Sequence, residues 1–180
     1  MPARRVAPVA ALLLAALALV PVAMAQAPGT RERQIRAALV YKVSRFVTWP
    51  ENAIPARGPF TFCYVSDEAT SQVLAGIEGR AIQDRRTRMR RLEALDARSI
   101  GGCNLLYITG TSAFPAEART ASVAAATLVV VDGPRDDAEA GMVQLVSRDN
   151  RLSLLVDLGL VRSARLRIEA TLLQLAEVRQ

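Results

Sequence analysis

Two short apolar runs decide the fold: CNLLYIT at residues 103–109 and TLVVVDG at residues 127–133. Each run is apolar on both of its faces, which is typical of a central strand covered by helices on either side. Between them, the segment SAFPAEARTASVAAA at residues 112–126 predicts a helix with Pro115 near its first turn. A strand, a helix and a second buried strand in succession predict an α/β sheet with a parallel centre.

The residues upstream continue the alternation of strands and helices. FTFCYV at residues 60–65 is an aromatic-rich strand pattern, and a further strand is predicted at TRMRRL, residues 87–92. Between them, SDEATSQVLAGIEG at residues 66–79 predicts a helix. Ser66 or Asp67 can cap its start, and glycine can end it.

An amphipathic helix is predicted at residues 31–48, where apolar residues recur at helical spacing. It should end at Trp49, because Pro50 disfavours a helical conformation there. Two interpretations of its aromatic residues Tyr41, Phe46 and Trp49 stay open. They belong to the core and dock the helix, or part of them forms an exposed surface for a partner, since aromatic side chains concentrate in interfaces.

The end of the chain departs from this alternation. MVQLVS at residues 142–147 and RLSLLVDL at residues 151–158 predict an antiparallel hairpin, because turn residues separate them. Residues 168–176 show helical spacing and predict a final amphipathic helix. The predicted fold is a three-layer α/β sandwich: a mixed, centrally parallel sheet flanked by helices, ending in an antiparallel hairpin and a C-terminal helix.

The first 25 residues have the pattern of a signal peptide. Arg4 and Arg5 precede a mostly apolar stretch at residues 9–20, and Ala-Met-Ala ends at position 25. We expect this segment to be removed on export, by the general or the twin-arginine route. One mature domain then remains, at residues 26–180. No comparable apolar run occurs later, so we expect no membrane span in the mature chain.

The chain is basic, and much of the excess charge lies in one segment. It has 23 Lys and Arg against 17 Asp and Glu, a net charge of +6; without Arg4 and Arg5 the count is 21 against 17, or +4. The segment RRTRMRR contributes Arg85, Arg86, Arg88, Arg90 and Arg91. An exported protein rarely meets nucleic acid, so we expect no nucleic-acid partner. The arginines protect an edge strand from pairing, or they form a surface for an acidic partner.

The chain contains no histidine, which excludes Ser-His-Asp and Cys-His catalysis and histidine metal ligands. Its two cysteines, Cys63 and Cys103, cannot build a zinc site alone. They form a disulfide in an oxidising compartment, or they are two buried free thiols. We predict no catalytic residue, metal or cofactor. A hydrolase that uses Asp67, Asp132 or Asp157 is the weakest alternative, because no nucleophile motif accompanies these carboxylates.

Polar residues follow three of the predicted strands. In open α/β sheets, ligands bind beyond the carboxyl ends of the strands. A small-molecule site is therefore a second functional hypothesis, and the alternative is that these loops are polar because they face water. The candidate residues are Ser66, Asp67, Thr109, Thr111 and Asp132.

An ordered set of segments resembles the YfiR-like periplasmic proteins. It comprises YKVSRFVTWP, FTFCYV entering SDEATSQVL, CNLLYI, and AGMVQLVSRDNRLSLLVDLGLVRSARLRIEATLLQLAEV. The resemblance lies in the order of the whole set: a helix closing on Trp-Pro, a cysteine in the first strand, a second cysteine opening a middle strand, a Gly-Met hairpin and a Leu-rich end. It covers essentially all of the mature chain.

The resemblance implies a function. YfiR-like proteins are non-enzymatic periplasmic regulators that hold an inner-membrane diguanylate cyclase inactive by engaging its periplasmic domain. Release of this hold, often through an outer-membrane lipoprotein, raises cyclic-di-GMP and favours biofilm formation. The resemblance also implies a Cys63–Cys103 disulfide and a homodimer.

Overall fold

An eight-stranded sheet organises the protein. The computed structural model describes residues 29–55, 57–110, 112–133, 140–148 and 151–180. The predicted signal peptide, Thr111 and the central turn of the hairpin lie outside the described residues. Within them, no helix is both long enough and apolar enough to span a bilayer.

The helices and strands have the following bounds. The helices are α1 Thr30–Arg45, α2 Glu68–Leu74, α3 Ala97–Ile100, α4 Ala116–Ala124, α5 Leu158–Ser163 and α6 Ala170–Leu173, with a 3-10 helix at Ala75–Ile77. The strands are β1 Val47–Thr48, β2 Phe60–Val65, β3 Ala81–Ile82, β4 Arg85–Arg91, β5 Leu105–Ile108, β6 Leu128–Asp132, β7 Val143–Arg148, β8 Arg151–Asp157, β9 Arg167–Ile168 and β10 Ala176–Arg179.

The strand order of the large sheet is β10-β8-β7-β6-β5-β2-β4-β3. The five strands from β7 to β4 are mutually parallel, as the two apolar runs predict. β7 and β8 form the predicted antiparallel hairpin, in which Val143 faces Val156. The mixed sheet with a parallel centre is confirmed.

Helices cover both faces of this sheet. On one face, Phe62 and Tyr107 pack with Val40 and Val43 of α1, in a core that also receives α2, α5 and α6. On the other face lies a smaller core, formed by strand residues such as Leu106 together with α3 and α4. Successive strand side chains point to opposite faces, so each buried strand contributes to both cores. The three layers follow from this arrangement.

The predicted end of the first helix differs from the structure near β1 and β9. Helix α1 ends at Arg45, earlier than predicted, because the chain at Val47–Thr48 becomes extended and pairs with β9. The Glu169 N–H also donates to the Phe46 carbonyl at 2.9 Å. This short pairing fixes the exit of α1 towards Trp49.

The predicted final helix is wrong in extent. Only Ala170–Leu173 is helical, and Ala176–Arg179 forms β10, which pairs in parallel with β8. Leu172 is buried as the helical spacing requires, but Leu175 is 76% exposed. The backbone groups on the outer edge of β8 need partners, and strand pairing provides them.

Candidate functional site

Trp49 lies in the core. Its side chain is 9% exposed, and its indole N–H donates to the Asn104 carbonyl at 3.2 Å. The ring meets Phe60 edge to face, with centroids 5.1 Å apart. Trp49 therefore anchors the exit of α1 to the strands below it, in agreement with the first of the two interpretations of these aromatic residues.

Tyr41 and Phe46 are half-buried. Phe46 caps the C-terminus of α1 and packs against the edge of the larger core. The Tyr41 hydroxyl donates to the Ala81 carbonyl at 2.9 Å, which ties α1 to β3. The Arg80 guanidinium lies over the Tyr41 ring, 5.9 Å from its centroid. Tyr41 thus combines a structural hydrogen bond with a cationic neighbour.

A groove runs between α1 and the segment formed by α2 and the 3-10 helix. Its volume is about 330 Å³, and Tyr41 lies at one side. Three cationic residues line it, Lys42, Arg45 and Arg80, and none of its lining residues is acidic. Arg45 and Arg80 belong to no site that was predicted from the sequence. Only the spacing of Lys42 and Arg45 in the helix could have suggested their common face.

The arginines of β4 do not form one patch. Their side chains alternate between the two faces of the sheet, since successive residues of a strand point in opposite directions. Arg91 pairs with Glu68 at 3.0 Å, whereas Arg86 donates to the Gly79 carbonyl at 3.3 Å. Arg85 donates to the Gly58 carbonyl at 3.5 Å. Arg88 is exposed, and among the described residues it has no hydrogen-bond or ion-pair partner.

Arg90 lies against the disulfide that joins Cys63 to Cys103. Its Nε is 3.3 Å from the Cys63 sulfur, and its Nη2 donates to the carbonyls of Ser99 and Gly101 at 2.8 Å each. Both cysteines are buried in the smaller core. The disulfide interpretation thus holds in the structure, and Arg90 ties β4 to the loop beside it.

β4 is the second strand from the edge of the sheet. The two-residue β3 covers its beginning, pairing Ala81 with Arg86 and Ile82 with Arg85. Farther along, the Glu78 carboxylate accepts from the Met89 N–H at 2.7 Å. The strand predicted to lie at the edge is therefore partly covered. Arg85 and Arg86 pair with β3, and Arg88, Arg90 and Arg91 lie beyond this pairing.

Ser66, Asp67 and Thr109 lie together at the carboxyl ends of β2 and β5. They surround a cavity of about 340 Å³ that Thr70 and Gly110 also line. The Asp67 carboxylate caps α2 by accepting from the Thr70 N–H at 2.7 Å. Hydrogen bonds with Thr70 and, more weakly, the charge of Arg33 lower the pKa of Asp67. The structure thus brings together three of the candidate ligand residues.

Asp132 lies elsewhere, beneath α1. Its side chain is 13% exposed, accepts from the Tyr107 hydroxyl at 2.6 Å and forms an ion pair with Arg36. Arg36 also pairs with Glu32 at 2.7 Å and donates to the Ser147 hydroxyl at 2.7 Å. These contacts link α1 to β5, β6 and β7. Asp132 is not among the residues that line the cavity beside Ser66.

Raised pKa values keep Tyr107 and Arg36 of this network protonated. Burial raises the pKa of Tyr107, and the charge of Asp132 raises it further, so the hydroxyl remains a donor. Burial lowers the pKa of Arg36, but its hydrogen bond with Glu32 and the charges of Asp132 and Glu32 outweigh burial and raise it overall. Arg36 remains charged, and the network acts as a structural clamp.

Within the described part of the chain, no group of three or more acidic or cysteine side chains could hold a metal ion. A family model described as YfiR/HmsC-like matches residues 33–177, a span that runs from the first turn of α1 into β10. The search of curated proteins found no match to the chain.

Proposed function

The chain belongs to the YfiR/HmsC-like family, and on that premise we propose that it represses an inner-membrane diguanylate cyclase from the periplasm. Members of this family are periplasmic regulators of diguanylate cyclases, and the family is regulatory rather than catalytic. In the proposed mechanism, the exported protein binds the periplasmic domain of the cyclase and holds it inactive. Cyclic-di-GMP and biofilm formation then fall.

One observation carries this proposal: the family match extends over residues 33–177 and therefore includes nearly every described element of the fold. The absence of histidine from the sequence is consistent with a role in binding. An outer-membrane lipoprotein is the proposed partner that relieves repression. The protein itself needs no cofactor in this scheme, and we propose that it acts as a homodimer.

The deletion strain provides the test. We expect intracellular cyclic-di-GMP to rise when the gene is deleted in its native host, and to return when the full-length gene is restored. A matched control restores a gene lacking codons 2–25, whose product should remain inside the cell and leave cyclic-di-GMP high. Unchanged cyclic-di-GMP on deletion, with a candidate cyclase expressed, would contradict the proposal.

Only some residues of the predicted partner surface are exposed enough to contact a partner. Trp49 and Arg90 are engaged inside the fold, whereas Arg86 and Arg88 are exposed. We therefore propose Arg86 and Arg88 as the part of the arginine segment that contacts an acidic partner. Substituting both with Glu should weaken partner binding without changing the melting temperature. Unchanged affinity would remove this segment from the interface.

A second candidate function is small-molecule binding at the carboxyl ends of β2 and β5. The observation that favours it is the convergence of Ser66, Asp67 and Thr109 around one cavity. A volume of about 340 Å³ lies at the small end of the range for ligand sites. A ligand would raise the melting temperature of the wild-type protein, with a smaller rise for Thr109→Val. A metabolite panel that leaves the melting temperature unchanged would count against this function.

A further inference from the structure

The groove between α1 and α2 concentrates positive charge that the described residues do not neutralise. Lys42 and Arg45 have no hydrogen-bond or ion-pair partner among those residues. Arg80 donates through Nε to the Gly76 carbonyl at 2.8 Å and contacts the Tyr41 ring, but it too has no carboxylate partner there. Three like charges along one groove repel one another, so an incoming anion is favoured.

The cations come from two different parts of the chain. Lys42 and Arg45 lie in the last turn of α1, where the helix dipole stabilises positive charge. That effect does not account for Arg80, which follows the 3-10 helix and reaches the groove from the opposite side. Stabilisation of the α1 C-terminus therefore does not explain why all three cations line the same groove.

The shape of the groove favours a peptide segment. Residues of α1 line it from Gln34 to Arg45, and the eleven helical steps between these two residues extend about 16 Å. An extended chain of about five residues covers the same distance. Ala38 and Val73 provide apolar surface along the groove, and the buried Ala37 and Ile77 lie at its floor. A segment that carries both acidic and apolar side chains matches both the charge and the lining.

We propose that this groove binds an acidic segment in the periplasmic domain of the repressed cyclase. The proposal rests on the function proposed above and specifies where the partner docks and which charge it carries. Carboxylates of that segment would pair with Lys42, Arg45 and Arg80, while its apolar side chains would contact the groove lining. Binding should weaken as salt increases, because these charges are exposed to solvent.

Charge reversal tests the groove. The affinity of the purified exported protein for the periplasmic domain of the cyclase is measured for wild type and for K42E/R45E. We expect the double variant to bind roughly 30-fold more weakly, with a melting temperature only a few degrees lower, because Glu in the last turn of α1 opposes the helix dipole. The matched control is Arg162→Glu, which reverses an exposed cation in the last turn of α5, outside the groove. The control should bind within about 3-fold of wild type.

The chain's single lysine allows a direct assignment of the contact. Lys42 is the only lysine in the sequence. A carbodiimide, which joins amines to carboxylates without a spacer, should link Lys42 to an Asp or Glu of the cyclase domain. Lys42→Arg keeps the charge, so it should retain binding and lose this cross-link. Mass spectrometry of the digested complex identifies both residues.

The outcomes separate the two proposals. Binding by wild type that K42E/R45E leaves unchanged, or cross-links that never include Lys42, would overturn the groove assignment and leave the proposed function standing. Failure of the wild-type protein to bind the cyclase domain would overturn the proposed function and the docking site together. If K42E/R45E is unstable, K42Q/R45Q replaces it, and a smaller loss of affinity is expected.

Discussion

The two halves of helix α1 use the same kind of residue in opposite ways. In residues 30–37, Arg33 lies 3.9 Å from Asp67, and Arg36 pairs with both Glu32 and Asp132. In residues 38–45, Lys42 and Arg45 have no carboxylate partner within the described residues. Arg36 holds the first half of the helix to the sheet, whereas Lys42 and Arg45 present the charges of the second half to solvent.

This difference shows that the role of a cation depends on what lies opposite it. Arg36 meets Asp132 because β6 ends beneath the first turns of α1. Lys42 and Arg45 face a groove whose other wall contributes Arg80 and apolar side chains. The following predictions test whether the first half is structural and the second half is free for binding.

The largest expected effect on stability comes from removing Asp132, the buried acceptor beneath the first half of α1. Asp132→Ala leaves Arg36 and the Tyr107 hydroxyl without their shared acceptor, so we expect a loss of about 3 kcal/mol in unfolding free energy. Urea denaturation measures it. Glu32→Ala is the matched control, because Glu32 is the exposed partner of the same Arg36 and should contribute less than about 1 kcal/mol. Equal losses for the two variants would refute the clamp.

A smaller effect is expected at Asp67, which pairs with the first half and caps α2. Asp67→Ala should lower the unfolding free energy by about 1 kcal/mol at pH 7, as for other N-cap residues. Because folding lowers the pKa of Asp67, its stabilisation is complete above the unfolded pKa of about 3.9 and is lost as pH falls through the folded value.

Denaturation curves at pH 7 and near pH 2 would test this dependence. The gap between wild type and Asp67→Ala should narrow at the lower pH. Asp67→Asn keeps an acceptor for Thr70 and serves as the control, with only a small loss at pH 7. A gap that stays constant with pH would mean that the carboxylate charge is not involved.

The smallest effect on stability is expected in the second half. K42Q/R45Q removes two exposed charges without carboxylate partners in the described chain, so the unfolding free energy should change by about 0.5 kcal/mol or less at physiological salt. Thermal and urea denaturation are sufficient to measure it. A loss above about 1 kcal/mol would make these cations structural and remove the contrast between the halves.

The central fold could be predicted because short stretches of sequence indicate each of its strands. CNLLYIT and TLVVVDG are apolar on both faces, which is typical of buried strands, and the turn residues between the last two strand patterns predict the hairpin of β7 and β8. Asp67 as a cap of α2 is local as well. The final helix is shorter than predicted because strand pairing takes both of its ends: Ile168 pairs with β1, and Ala176–Arg179 pair with the open edge of β8.

The candidate sites depend on contacts between distant segments. Ser66 and Thr109 meet because β2 and β5 are parallel neighbours, which the strand pattern suggested. Asp132 also lies at the carboxyl end of its strand, yet its side chain contacts Arg36 and Tyr107. The groove with Arg80 was missed because no sequence pattern shows which side of α1 faces the 3-10 helix. These placements follow from packing rather than from spacing.

The Cys63–Cys103 disulfide also affects the folding reaction. It joins β2 to the residues just before β5, two positions that are 40 residues apart in sequence, and β4 lies inside that loop. Parallel strands normally meet only after a long loop closes, which makes their pairing slow. In the oxidised chain this closure has already occurred, so β5, β2 and β4 can condense as one early unit on which the remaining strands assemble.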